Sequence, residues 1–158
     1  MKSCRKSMTS PQALLNWQNI EKTMNYWLLK SDPEDYSFDD LMKDGFAVWD
    51  GVANNLALQH LRKIKKGDVI LIYHTGDEKA LVGLAVAASN PYPDPNADNE
   101  KLAVVDLKPK KRAKRKVTLG EIKALPEFTE FPLVRLSRLS VMPVSEAEYR
   151  RLVELSGL

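Results

Sequence analysis

Three short runs place a flat aromatic ring beside groups that donate and accept hydrogen bonds. They are Tyr26-Trp27 with Lys30-Ser31-Asp32-Pro33, Trp49-Asp50-Gly51-Val52, and Tyr73-His74-Thr75. A pocket for a flipped or single-stranded base needs that combination, because an aromatic face stacks on the base while fixed polar groups read its edge. Stacking contributes about 1–3 kcal/mol per base, whereas extrusion from a duplex costs a few kcal/mol. One ring therefore does not offset flipping: either the ligand is already single-stranded or further contacts add to the stack. The same rings also suit a hydrophobic core, where Trp and Tyr pack with their polar tips satisfied. Taken singly, Trp27, Trp49 and Tyr73 fit a core better than a ligand wall.

Catalytic patterns are sparse. His60 and His74 are the only histidines, and the chain carries no G-x-S-x-G, no phosphate-loop motif, no H-E-x-x-H and no dinucleotide-type glycine pattern. A dyad of His74 with Asp50 or Asp32 is the one arrangement left open for a hydrolase or base-processing enzyme. His74 fits a core histidine at a strand end equally well. Cys4 is the only cysteine, which excludes an internal disulfide and a cysteine-based metal cage within one chain. The expectation is a cytoplasmic protein without cofactor or metal. Charged residues interrupt every apolar run well short of the roughly 18–20 residues that a membrane helix requires, so no membrane partner is expected.

The net charge of +3 is local. Lys2, Arg5, Lys6 and Lys22 stand against Glu21 in residues 1–23, leaving residues 24–158 electrically balanced. An electrostatic argument for nucleic acid therefore needs a patch, and the run Lys108 to Lys116, KPKKRAKRK, supplies one with seven Lys or Arg in nine positions. Lys108, Lys110, Lys111, Arg112, Lys114 and Arg115 are candidates to track a phosphate backbone. A solvated loop or a charged edge strand that deters sheet-to-sheet association accounts for the same run.

These groups need a scaffold, and the pattern supplies one from Asn25 onward. Tyr26 to Leu29 reads as a buried strand stopped by Asp32-Pro33. Ser37 caps a short helix closed by Gly45. Asn54 to Lys66 reads as a helix with Leu58, Leu61 and Ile64 on one face. Asp68 to Thr75 and Ala80 to Ser89 are apolar strands joined by a hairpin loop. Asn90 to Glu100, with three prolines, is a surface loop. Lys101 to Leu107 is a strand, Thr118 to Ala124 a capped helix, and Arg138 to Val144 a strand. Ser145 to Leu155 closes the chain as an amphipathic helix with Tyr149, Leu152 and Val153 inward. Short strands interleaved with short helices suit an α+β fold or small barrel better than a doubly wound sheet. Residues 1–23 read as an extension, and Met24 is a plausible natural start.

The runs Tyr26 to Pro33, Trp49-Asp50-Gly51-Val52, Gly67-Asp68, Tyr73-His74-Thr75, Val82-Gly83, Pro91-Tyr92-Pro93-Asp94 and Arg138 to Val144 resemble, in order and spacing, the EVE domain family. The resemblance covers residues 24–158. It implies a PUA-like small mixed β-barrel with flanking short helices, and a non-catalytic domain that holds a modified cytosine of DNA or RNA in an aromatic-lined pocket. Carried over by position, Trp27, Lys30 and Ser31 edge the pocket, Trp49 walls it, and Tyr73, His74 and Thr75 close it. Asn54 belongs to the same set, and Arg138 and Ser140 meet base or phosphate. Two positions depart from the family pattern: Asp32 stands where Glu is common, and Ala53 where Arg or His is common. A general RNA-binding module indifferent to modification, relying on the Lys108 to Lys116 run, is the alternative.

Overall fold

Residues 25–99 and 101–158 are described by the computed structural model, so the extension expected for residues 1–23 lies outside the described residues. Strand β1 (Tyr26–Ser31) buries Trp27, Leu28 and Leu29 in succession, as a strand covered on both faces must. It pairs in parallel with β3 (Val69–His74) and antiparallel with β7 (Val141–Val144). A parallel pair needs a long crossover. Helix α1 (Phe38–Asp44), β2 (Ala47–Trp49) and α2 (Asn55–Leu61) form it.

The hairpin partner of β3 is β4 (Ala80–Ala87), which in turn pairs with the sixteen-residue β6 (Ala103–Thr118). The sheet runs β2-β6-β4-β3-β1-β7, with β5 (Tyr92–Pro93) also on β6. It curls into a half-barrel, and α2 packs against both β6 and β7 near the two ends of the path. Helix α3 (Leu119–Lys123), a 3-10 turn (Pro126–Phe128), α4 (Pro132–Arg135) and α5 (Glu146–Ser156) complete the chain. The expected mixed α+β barrel with short flanking helices is the observed architecture.

Several elements differ in extent from their sequence pattern. Helix α2 stops at Leu61, before Lys66: the Lys63 and Ile64 N–H groups bond three residues back, and Asp68 Oδ2 takes the Lys65 N–H at 2.9 Å. Strand β6 continues straight through the basic run. Pro109, which has no N–H to give, sits next to a register shift opposite Leu84 and Ala85, where a proline is tolerated. A second shift leaves residues 113–116 opposite Val82 alone. The stretch 125–136, for which no element is expected, holds two short turns started by Pro126 and Pro132, and buries Phe128, Phe131 and Leu133. On α5, Leu152 is fully buried and Tyr149 stacks on Tyr26 at 4.1 Å, while Val153 is half-buried.

Helix α1 is seated by one close approach. The Phe38 ring lies flat on Gly83 of β4, where an added Cβ would come within 2.4 Å of the ring. Gly83→Ala therefore forces α1 outward. The expected cost is about 1–3 kcal/mol, the usual range for overpacking a core. Denaturant unfolding checks it, and an unchanged midpoint would show that α1 rests elsewhere.

Candidate nucleic-acid interface

The ladder between β1 and β7 is extended by the Lys30 N–H, which donates to the Ser140 carbonyl at 2.9 Å and brings Lys30, Ser31 and Ser140 together. After Pro33 the chain turns tightly, with the Asp35 and Tyr36 N–H groups both donating to the Asp32 carbonyl. Ser31 Oγ donates to the Tyr36 carbonyl and fixes that turn against the strand end. Across from it, β2 ends at Trp49 and the chain reverses at Gly51, whose φ of 79° suits a residue without a side chain.

Between these segments lies an open pocket of about 660 Å³. Trp49 and Tyr36 meet edge to face at 6.4 Å and 78°, and Phe46, Val48 and Val52 add apolar surface. Lys30, Ser31 and Ser140 line it with polar groups, and Asp32, Asp35, Asp44 and Asp50 also border it. Four aspartates and one lysine thus share the lining. Lys30 Nζ donates to the Ser137 carbonyl at 2.9 Å and lies 5.8 Å from the Tyr73 ring centroid. Burial holds its pKa below the ordinary lysine value. The Tyr36 hydroxyl donates to Asp44 at 2.8 Å, and burial together with that bond pushes its pKa up to about 12.

Of the residues expected to form the pocket, Lys30, Ser31, Trp49 and Ser140 line it. Asn54 and Arg138 line a neighbouring groove instead. Trp27 does not edge the pocket: it is buried, and its indole N–H donates to the buried carboxylate of Asp68 at 3.0 Å. Tyr73 is likewise packed in the core, under the Lys30 ammonium. His74 has no open nitrogen. Nε2 accepts the Phe38 N–H at 2.9 Å and Nδ1 contacts Glu78 at 2.7 Å, so the ring joins β3 to α1 and to the hairpin. Thr75 extends the β1 edge by donating its N–H to the Ser31 carbonyl. The polar atoms of Trp27 and His74 thus serve the fold, and Tyr73 is buried, so β3 does not close the pocket.

The basic run is partly neutralised. Arg112 pairs with Asp39 and covers the Phe38 ring, Arg115 binds Glu121 through two hydrogen bonds, and Lys116 pairs with Glu78. Lys111 donates to the Leu158 carbonyl. Lys108, Lys110 and Lys114 have no carboxylate partner among the described residues. No group of three or more potential metal ligands occurs among the described residues, and no described helix is long and apolar enough to cross a membrane.

The EVE domain profile matches residues 25–155. This chain belongs to the EVE domain family. Mouse thymocyte nuclear protein 1 is 31% identical over 165 residues, spanning 83% of this chain and 73% of its own. A crystal structure from Agrobacterium tumefaciens is 34% identical, covers 85% of this chain and 94% of its own, and superposes with a TM-score of 0.82. The human THYN1 protein in complex with DNA containing 5-methylcytosine is 27% identical, covers 85% of this chain and 98% of its own, and gives a TM-score of 0.77. The half-barrel is thus the PUA-like fold of EVE domains.

Within this EVE domain, sequence reasoning missed Tyr36, Phe46, Val48 and the carboxylates Asp35 and Asp44. Tyr36 follows a proline turn that aims it back at Trp49, a relation no local pattern carries. Its phenol also makes a test. A pKa raised from 10.0 to about 12 in the folded protein means a contribution to stability that is complete below pH 10.0 and is lost as pH rises through about 12. Tyr36→Phe is expected to flatten that alkaline loss of stability, and thermal melts across this range read it. A slope equal to the parent's would place the effect on other tyrosines, such as Tyr92, which is also raised to about 12.

His74→Ala strands the buried Phe38 N–H. Unfolding free energy should fall by about 1–3 kcal/mol, the cost of one unsatisfied buried donor. No loss of stability would show that the Phe38 N–H finds water.

Proposed function

We propose that this EVE domain is a non-catalytic reader that holds a modified cytosine of DNA or RNA in the pocket beside Trp49. The observation that carries the reading is the pocket itself: its volume of about 660 Å³ falls within the roughly 300–1,000 Å³ of small-ligand sites, and aromatic and polar side chains line it together. Trp49 supplies the stacking face. Cytosine presents an amino donor beside two acceptors, and carboxylates accept from that amino group. Asp32, Asp35, Asp44 and Asp50 provide acceptors around the rim, while the Ser140 hydroxyl and the N–H bonds of Lys30 beyond the one given to Ser137 provide donors. Phe46, Val48 and Val52 suit a methyl substituent on the ring. The human relative bound to 5-methylcytosine DNA supports the same ligand class.

A hydrolase built on His74 gains no support, because both ring nitrogens are engaged within the fold. The reader makes a specific demand on binding data. Short single-stranded and duplex DNA and RNA carrying cytosine, 5-methylcytosine or 5-hydroxymethylcytosine should be titrated at two salt concentrations. One modified form is expected to bind preferentially, without turnover. Trp49→Ala should remove about 1–3 kcal/mol of stacking, a loss on the order of tenfold to a hundredfold in affinity. Because Trp49 also packs in the core, Asp50→Ala, at an exposed rim position, provides a second variant that leaves the core intact. Equal, salt-steep binding to every oligonucleotide would overturn the reading and leave the general nucleic-acid module.

A further inference from the structure

The loop that supplies Ser140 to the pocket also borders a shallow groove of about 370 Å³, lined in part by Asn54, Leu56, Leu136, Ser137 and Arg138. Pocket and groove are mechanically joined. Lys30 lines the pocket while its ammonium holds the Ser137 carbonyl in the groove, and Val52 in the pocket lies two residues before Asn54 in the groove. Leu56 and Leu136 are 41% and 47% exposed and give the groove an apolar surface. Arg138 is exposed and has no carboxylate partner among the described residues, whereas Arg135 nearby is tied to Glu130.

Charge decides which side of the pocket a nucleic-acid backbone can occupy. Asp32, Asp35, Asp44 and Asp50 border the pocket and repel phosphate. The basic run offers less than its composition suggests, since Asp39, Glu121 and Glu78 hold Arg112, Arg115 and Lys116. The groove beside Ser140 combines a guanidinium that no carboxylate occupies with apolar side chains. We propose that this groove carries the sugar-phosphate backbone of a single strand next to the pocketed base, with Arg138 on a phosphate and Leu56 and Leu136 against the adjoining sugar or base. The inference rests on the nucleobase reading of the neighbouring pocket and adds the path of the strand to it.

The test uses single-stranded DNA oligonucleotides with a central cytosine or 5-methylcytosine, titrated by fluorescence anisotropy over a range of salt. Arg138→Ala should weaken both oligonucleotides several-fold by the same factor and lower the slope of log affinity against log salt by about 0.7, one phosphate contact on a single strand. The preference between the two bases and the melting temperature should not move. Leu136→Asp, which puts a carboxylate in the groove, should weaken both oligonucleotides as well. Replacing Lys108 and Lys110 together by Ala should leave the slope near the parent's. An unchanged slope for Arg138→Ala, or a change in base preference, overturns the groove as backbone track while leaving the reader intact. A parent protein with no base preference whose slope still falls on Arg138→Ala keeps the groove and overturns the reader. Failure of the parent to bind either oligonucleotide or its RNA counterpart overturns both.

Discussion

The outer wall of the pocket is held where Phe38 meets β4. Its ring lies on the one residue of that strand region that has no side chain to obstruct it, Gly83. Its N–H is taken by His74, and its ring is covered on the outside by Arg112. Through these three contacts, α1 is fixed to β3, β4 and β6 together. Tyr36 lies two residues before α1 and Asp44 is its last residue, so this phenol and carboxylate at the pocket take their positions from it. An interior packed to crystal-like density transmits such constraints, because neighbouring atoms have little room to yield.

Buried polar groups reinforce the same arrangement. Asp68 receives both the Trp27 indole N–H and the Lys65 N–H, tying β1 to the turn after α2. His74 binds Phe38 and Glu78, and Glu78 in turn meets Lys116. Such groups are satisfied because leaving one unpaired inside the fold costs about as much as several favourable contacts contribute. The polar groups at the pocket are of another kind. Ser140 and the rim carboxylates Asp35 and Asp50 lie at the surface or half-exposed, where water serves them until something else does.

Local pattern was sufficient for much of the fold. Ser37, Asn54, Thr118 and Ser145 each cap the helix that their position suggests, and the apolar runs of β1, β3 and β4 form the sheet centre. It was less informative where partners come from afar. The basic run reads equally as phosphate-tracking patch, solvated loop or charged edge strand, and pairing with β4 shows it to be strand. At the site, the aromatic-polar runs marked Trp49, Lys30 and Ser31, and the family resemblance added Ser140, but neither separated them from Trp27 and His74. The difference lies in Asp68 and Glu78, which claim the polar atoms of Trp27 and His74 and turn them into braces.

The parallel pairing of β1 with β3, and its antiparallel pairing with β7 near the far end of the described chain, bear on how the protein is made. Lys30 and Ser31 cannot meet Ser140 until β7 has left the ribosome, because the two halves of the pocket are separated by almost the whole domain. Loop closure over such distances is entropically costly and slow relative to local hairpins. While synthesis is under way, β1 waits as an unpaired apolar segment, and its sticky edge is protected only once the last strand arrives. The cavity is therefore complete only once β7 pairs with β1, and a chain cut short of β7 lacks its Ser140 side.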